Sequence, residues 1–169
     1  TEPSQWSDRD YDGWGDNQSE GAVLIDDFPD NPTQWSDSDE DGWGDNQTYG
    51  ATQVDDFPFV PSQYRDTDGD GYGDEVETDT GVFVDLTNTG TSPIKNDTDN
   101  DGLLDGAEDN SAIFVDEDQS GSNPLKSDTD DDGLNDGYEV SNGLNPNDDG
   151  TTDVNNGAAG DPDSDNSGN

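Results

Sequence analysis

The feature that most constrains this chain is an acidic pattern, D-x-D-x-D-G-x-x-D, that occurs five times at nearly constant spacing. The copies begin at Asp8, Asp37, Asp66, Asp97 and Asp128, so their starts are separated by 29, 29, 31 and 31 residues. A fixed period of about 30 residues is typical of a repeat array, in which each unit packs against its neighbours. A merely solvated acidic segment would not keep this register.

The composition excludes several classes of protein. The chain has 45 acidic residues against 4 basic ones, and only 23% of its residues are hydrophobic. Without the repeats, this composition would indicate a disordered chain. The negative charge disfavours nucleic acid and anionic membranes as partners, and no apolar run approaches the ~18 residues of a membrane span. Because Cys and His are absent and no catalytic motif occurs, we expect no disulfide, no zinc site and no enzyme.

The spacing of the acids is suited to calcium. This hard cation takes about 6–8 oxygen ligands at roughly 2.3–2.6 Å. Carboxylates at alternate positions can converge on one ion if the chain turns sharply, and the glycine at the sixth position permits that turn. The seventh residue then offers its backbone carbonyl, and the ninth offers an acid, directly or through water. The five copies therefore predict at least five bound Ca²⁺ ions.

The last three copies match the ligand pattern of an EF-hand loop, because a glutamate stands at their twelfth positions. Their flanks differ from an EF-hand, since prolines precede the loops where an entering helix would lie (Pro58, Pro61, Pro93 and Pro124). Downstream, the segments GAEDNSA and DGYEVSNG leave room for only one or two helical turns. Over about residues 3–150, the chain more closely resembles thrombospondin type 3 repeats, especially those of microbial secreted proteins.

This resemblance implies a chain wound around a line of calcium ions that replaces an apolar core. The expected fold is an irregular, calcium-stapled repeat array in the form of an extended rod. It would consist mostly of loops and turns, with short β segments, helices of one or two turns and no large apolar core. We divide it into two 29-residue acidic aromatic repeats (1–60), three EF-hand-like calcium repeats (61–150) and a polar tail or truncated further repeat (151–169).

The resemblance also implies a ligand set for each copy, in which the seventh residue acts through its carbonyl. In the last three copies the implied ligands are Asp66, Asp68, Asp70, Tyr72, Asp74 and Glu77; Asp97, Asp99, Asp101, Leu103, Asp105 and Glu108; and Asp128, Asp130, Asp132, Leu134, Asp136 and Glu139. In the first two copies they are Asp8, Asp10, Asp12, Trp14 and Asp16, and Asp37, Asp39, Asp41, Trp43 and Asp45. The twelfth positions of these two copies are Ser19 and Thr48, which leaves the closing ligand open. The pairs Asp26/Asp27 and Asp55/Asp56, in the motif DDFP, are candidates.

Weaker candidate sites lie between the strong copies. Residues 113–133 align without gaps on residues 82–102, and both segments contain a degenerate loop. In the later segment, Asp116, Asp118 and Ser120 form a plausible half-site for calcium. In the earlier one, Asp85, Thr87 and Thr89 have lost most of the charge, and we expect a metal-free turn. A further half-site is possible at Asn145, Asn147, Asp149 and Asp153.

The apolar and basic residues follow the same period. Two equivalent series of rings are Trp6, Trp35 and Tyr64, and Trp14, Trp43 and Tyr72, the second continued by Leu103 and Leu134. We favour packing between successive loops over a row of exposed rings that stack on sugars, because this chain has few aliphatic residues. The segments VFV and IFV predict β-like pairing, and Lys95 and Lys126 are each expected to neutralise a neighbouring carboxylate.

The two ends of the chain suggest continuation. Asp163, Asp165, Ser167 and Gly168 repeat the pattern of the Asp116 half-site, and the N-terminus begins where that repeat is cut. We expect either head-to-tail self-association or tandem continuation in a longer chain. Attached glycans are possible at the sequons Asn17, Asn46 and Asn96, or on Ser and Thr.

These observations favour an extracellular or cell-surface calcium-binding structural protein, such as a component of a filament, fibril or stalk. One alternative is a calcium-dependent adhesion or carbohydrate-binding module on the same scaffold. Another is a calcium buffer, which would need no fixed register between its loops.

Overall fold

Irregular structure dominates this protein. The computed structural model describes residues 7–16 and 24–149. Within these ranges it contains one α-helix, α1 (Asp136–Asn142), one 3₁₀ turn (Asp105–Ala107) and four isolated β-bridges, with no sheet. This confirms the loop-rich fold expected from the sequence. In the same ranges, no helix combines the length and the apolar character that crossing a membrane requires.

Helix α1 has well-defined ends. Its N-cap, Asn135, accepts a hydrogen bond from the Tyr138 N–H through its side chain, and Asp136 and Glu139 lie in the first turn, where negative charge is favourable. The helix ends at Asn142 and is capped by Gly143, which adopts φ 73°, and the Leu144 N–H then donates to the Glu139 carbonyl. Three residues apart on one face, Asp136 and Glu139 are both fully buried. The helix therefore directs two carboxylates into the protein.

The interior of the described residues is polar. Only Val76, Leu103 and Leu144 among them are buried hydrophobic residues. The fully buried side chains in these ranges are mainly carboxylates, hydroxyls and an amide, including Asp26 and Gln34. The expected lack of a large apolar core is thus observed in this part of the chain.

The first of two compact units, Thr1–Arg65, is organised by stacked rings. Trp14 stacks on Trp35 with ring centroids 6.0 Å apart, and Trp43 stacks on Tyr64 at 4.4 Å. The guanidinium of Arg65 lies 5.7 Å from the Trp43 ring. In both stacks, the seventh residue of one loop packs on the ring that precedes the next loop. This is the packing expected from the sequence, although Trp6 lies outside the described residues.

A buried glutamine also connects the two repeats of this unit. The Gln34 amide donates to the carbonyls of Asn46 and Thr52 and accepts from the Asn46 N–H at 2.9 Å. A Cβ added at Gly44 would lie 2.1 Å from the Gln34 Oε1 atom. Glycine at position 44 therefore leaves the space that this side chain fills.

The second unit, Asp66–Asn169, contains two hairpin-like segments. In the first, the N–H groups of Asp79 and Gly81 donate to the carbonyls of Thr91 and Gly90, and an isolated bridge joins Asp85 to Asn88. The same bonds recur at residues 110–122, with a bridge between Asp116 and Gln119. The VFV and IFV segments themselves form no strand or bridge. Only their last residues, Val84 and Val115, donate an N–H to a backbone carbonyl, that of Asn88 and of Gln119 respectively, and each bridge begins at the next residue.

Candidate metal centres

Alternate carboxylates converge in each of the first four loops. In the third loop, Asp66, Asp68 and Asp70 each offer one oxygen, and these atoms lie within 4.8 Å of one another. Equivalent groups form in the other loops at Asp8, Asp10 and Asp12, at Asp37, Asp39 and Asp41, and at Asp97, Asp99 and Asp101. In the fifth loop, burial raises the pKa of Asp130 to about 6, and the charges of Asp132 and Asp128 contribute to the rise. In the first four loops, the first, third and fifth positions thus converge as the sequence predicts.

Hydrogen bonds within each loop produce this convergence. In the third loop, the Asp66 carboxylate accepts from the N–H groups of Gly69 and Gly71, and Asp70 Oδ1 accepts from the Tyr72 N–H at 2.7 Å. The sixth position has positive φ, as in Gly71 at 100°. The fourth position also has positive φ, even where it is not glycine (Tyr11, Glu40, Asn100 and Asp131). Residues such as Tyr11 and Glu40 seldom adopt positive φ, so the acidic pattern does not predict this conformation at the fourth position.

The acid at the ninth position closes its own loop by hydrogen bonding. In the fourth loop, Asp105 accepts from the N–H and the hydroxyl of Thr98 at 2.7 and 2.6 Å. The corresponding residues elsewhere bond in the same way: Asp74 to Thr67, Asp136 to Thr129, and Asp45 to Ser38. The acidic pattern does not predict this role, but the hydroxyl residue at the second position of four loops is a sequence signal for it.

A second type of cluster joins consecutive repeats. Oxygens of Asp70 and Glu77, from the third repeat, lie within 4.8 Å of each other and of an oxygen of Asp105, from the fourth. All three residues are buried. The sequence prediction assigned Glu77 to the third loop and Asp105 to the fourth. The structure brings them together, with Asp70 common to this cluster and to the loop cluster.

Two buried hydroxyls hold the glutamate of this cluster. The Thr91 hydroxyl donates to Glu77 Oε1 at 3.0 Å and lies 2.6 Å from the Thr89 hydroxyl, which donates to the Val76 carbonyl. In the next repeat, Ser122 and Ser120 hold Glu108 in the same way. Thr89 and Ser120 belong to the degenerate loops of the sequence, so these loops help to position Glu77 and Glu108.

The hydrogen bonds of Ser120 place it apart from the two aspartates of the half-site predicted at Asp116, Asp118 and Ser120. Ser120 is buried and donates to the Ala107 carbonyl, whereas Asp116 and Asp118 are exposed at a turn. The structure thus gives Ser120 a different role from the two carboxylates.

Burial has a strong effect on the acids of the second unit. It raises the pKa of Glu77 to about 8 and that of Glu108 to about 10, and the charges of Asp70 and Asp101, respectively, add to the rise. The pKa of Asp70 rises to about 7 for the same reason. Burying ionised carboxylates beside one another is costly unless a cation or protons compensate their charge. The clusters are therefore suited to hold a cation.

In the first two repeats, the first aspartate of the DDFP motif is buried beside acids of its own loop. Burial raises the pKa of Asp26 to about 6, with Asp12 and Asp10 as charged neighbours, and Asp55 is similarly placed beside Asp41 and Asp39. The second residue of the first pair, Asp27, is exposed and accepts from the Asp37 N–H at 3.1 Å. The first acid of each pair thus lies beside its own loop.

The remaining candidates have varied surroundings. Asn145 is buried, and its side chain accepts a hydrogen bond from the Asn147 N–H. The Asn147 side chain donates to the Ser120 carbonyl at 2.9 Å, whereas Asp149 is exposed. Asp153 and the tail residues 163–168 lie outside the described residues, as do Ser19 and the sequon at Asn17.

The other two sequons and the two lysines lie within the described ranges. The Asn46 side chain donates to the Thr33 carbonyl, and Asn96 is exposed. Lys126 forms the expected ion pair, with Asp131 at 2.9 Å, while Lys95 donates to the Thr98 carbonyl.

Comparisons with protein-family models, with curated proteins and with solved structures found no match to this chain.

Proposed function

We propose that this chain is a calcium-binding structural repeat protein, located outside the cell or at its surface, in which bound calcium ions replace an apolar core. The observation that supports this most is the grouping of carboxylate oxygens within 4.8 Å in successive loops, in described residues whose buried side chains are mainly polar. Aspartate and glutamate oxygens are the ligands that calcium prefers. Ions at these sites would cross-link the carboxylates of the loops and set the spacing of an extended array.

The ligand set differs between the loops and the boundaries. Each loop would bind through the acids at its first, third and fifth positions and the carbonyl of its seventh residue. The acids Asp26 and Asp55 would complete the first two sites. The filament or stalk role rests on the regular period of the five acidic copies in the sequence.

Metal counting and spectroscopy test this proposal together. The purified chain is expected to hold at least five calcium ions by native mass spectrometry at millimolar calcium. Chelation at pH 7 should abolish the near-UV circular dichroism of the stacked pairs Trp14–Trp35 and Trp43–Tyr64, because binding and folding are coupled. A chain that holds no calcium, or whose near-UV spectrum at pH 7 survives complete chelation, would rule out the metal core.

A second function, calcium-dependent adhesion to a glycan, is favoured by three exposed rings. Tyr11, Tyr49 and Phe59 lie largely in solvent and are separate from the stacked pairs. Exposed rings can stack on sugars. A glycan array in calcium separates the two functions: binding that is lost in Y49A and F59A supports adhesion, and filaments seen by negative-stain electron microscopy without glycan binding support the structural role.

A further inference from the structure

The boundary between the third and fourth repeats carries three buried carboxylates from two repeats. Asp70 and Glu77 precede the boundary and Asp105 follows it, and an oxygen from each lies within 4.8 Å of the others. Their exposed fractions are 6%, 4% and 0%. Three acids at this distance repel one another strongly when ionised, since little solvent separates them. The arrangement therefore calls for a positive charge at its centre.

In two of these carboxylates, one oxygen accepts a hydrogen bond and the other oxygen accepts none from the described residues. Glu77 Oε1 accepts from the Thr91 hydroxyl, and Asp70 Oδ1 accepts from the Tyr72 N–H. Glu77 Oε2 and Asp70 Oδ2 are buried and have no hydrogen-bond partner among the described residues. Buried polar atoms nearly always have partners, and an exception needs an explanation. A shared cation supplies that explanation for both atoms.

The backbone brings the two repeats into register at this point. A Cβ added at Gly106 would lie 2.2 Å from the Asp70 carbonyl oxygen, so the residue after Asp105 must be glycine for the loops to approach. The next boundary has the same construction. There a Cβ at Gly137 would lie 2.4 Å from the Asp101 carbonyl oxygen, and the Gly137 N–H donates to Asp101 Oδ2 at 3.0 Å.

The acids of this second boundary are also buried. Asp101, Glu108 and Asp136 correspond position by position to Asp70, Glu77 and Asp105. Glu108 Oε1 accepts from the Ser122 hydroxyl, and Glu108 Oε2 is buried with no hydrogen-bond partner in the described part of the chain. A buried acid with an oxygen unpaired among the described residues therefore occurs at each of these two boundaries and follows the repeat.

We infer that one calcium ion, bound jointly by Asp70, Glu77 and Asp105, joins the third repeat to the fourth, and that Asp101, Glu108 and Asp136 bind an equivalent ion at the next boundary. This inference rests on the proposed calcium-binding function and adds a second class of site to it. Because each such ion has ligands in two repeats, filling one repeat favours binding in its neighbour. Calcium then binds cooperatively along the second unit.

Counting ions in a double-variant cycle tests the shared site. Native mass spectrometry at saturating calcium is applied to the intact chain and to the variants E77Q, D105N and E77Q/D105N. If Glu77 and Asp105 bind the same ion, each single variant loses an ion and the double variant loses no more than the single variants do. If they serve separate loops, the losses add. Additive losses, or single variants that keep every ion, would overturn the inference.

Two additional measurements keep the test decisive. D109N is the control variant. Asp109 is next to Glu108 in sequence, but its carboxylate accepts hydrogen bonds from Ser111 and Gln119, so removing its charge is expected to leave all ions bound. Where a variant loses its near-UV signal, hydrogen exchange in calcium replaces counting: D105N must lose protection at residues 76–91, and retained protection there overturns the inference. A wild-type chain without calcium would refute the proposed function itself, whereas a calcium-loaded chain with additive losses refutes only the shared ion.

Discussion

The hydroxyl of Tyr72 donates a hydrogen bond of 3.0 Å to the backbone carbonyl of Glu108, 36 residues further along the chain. Tyr72 stands at the seventh position of the third loop, and Glu108 stands at the twelfth position of the fourth. The ring is half-buried, and burial raises the pKa of its hydroxyl. This bond therefore ties the side chain of one loop to the end of the next.

Replacing this tyrosine should weaken the contact between repeats. Y72F keeps the ring but removes the donor and leaves the Glu108 carbonyl without this bond, which is expected to lower the free energy of unfolding by about 1 kcal/mol. Urea unfolding at saturating calcium measures the change. Y138F removes a hydroxyl from an exposed tyrosine of the same unit and should have no such effect. Equal stability of Y72F and wild type would show that the bond contributes nothing.

The effect of pH on folding should reverse when calcium is removed. The pKa values of Asp70 and Glu77 rise to about 7 and 8, above their ordinary values, so the metal-free fold favours the protonated acids. The stability that these two acids contribute to the metal-free fold is fully present below their ordinary pKa values and is lost as the pH rises through about 7–8. With calcium bound, the ionised acids are favoured, and the stability from the metal is lost as the pH falls.

Near-UV circular dichroism from pH 3 to pH 9, with calcium and with a chelator, checks this reversal. In chelator, the signal should grow as the pH falls from about 8 toward about 4, whereas in calcium it should be largest at neutral pH. E77Q imitates the protonated acid and should have more signal than wild type at pH 7 in chelator. Spectra that vary with pH in the same direction under both conditions would contradict the prediction.

Adding one methyl group at Gly106 should separate two repeats. In G106A, the new Cβ would lie 2.2 Å from the Asp70 carbonyl oxygen, and a backbone atom cannot move aside as a side chain can. We expect a loss of about 1–3 kcal/mol in the free energy of unfolding and a higher calcium midpoint. A107G alters the same 3₁₀ turn without adding atoms and serves as the control. If G106A binds calcium as tightly as wild type, the close approach is absent in solution.

Removing the hydroxyl that holds Glu77 should weaken calcium binding. T91V has nearly the same shape but no donor for Glu77 Oε1, and hydrogen bonds to charged groups contribute about 1.5–3 kcal/mol. The calcium concentration at half-saturation should rise about tenfold or more. T87V removes a hydroxyl from the exposed turn, where it bonds to Asp85, and should leave the midpoint unchanged. The same midpoint in T91V and T87V would exclude this role of Thr91.

Much of the loop structure follows directly from the sequence. The alternation of acids predicts that Asp66, Asp68 and Asp70 converge, and the glycine at the sixth position predicts the turn between them. The aromatic period predicts the stacks of Trp14 on Trp35 and of Trp43 on Tyr64. These features are local, or link neighbouring copies of one pattern, so spacing alone is sufficient to anticipate them.

The clusters between repeats could not be predicted in this way. Whether Glu77 turns toward its own loop or toward Asp105 depends on the Thr91 hydroxyl and on the close approach at Gly106, neither of which belongs to the acidic pattern. Likewise, Asp105 has two functions that spacing cannot separate, since it bonds to Thr98 and also lies beside Asp70. The position of a side chain between two repeats depends on tertiary packing.

The polar interior has a thermodynamic consequence. Unfolding of most proteins has a large positive heat-capacity change, because apolar surface is exposed to water, whereas exposing polar surface lowers the heat capacity. In the described residues, Val76, Leu103 and Leu144 are the buried hydrophobic residues, and carboxylates and hydroxyls fill most of the remaining interior. The heat-capacity change per residue should therefore fall well below the usual ~12–15 cal/mol/K. The stability curve of such a fold is flat, so cold weakens it little.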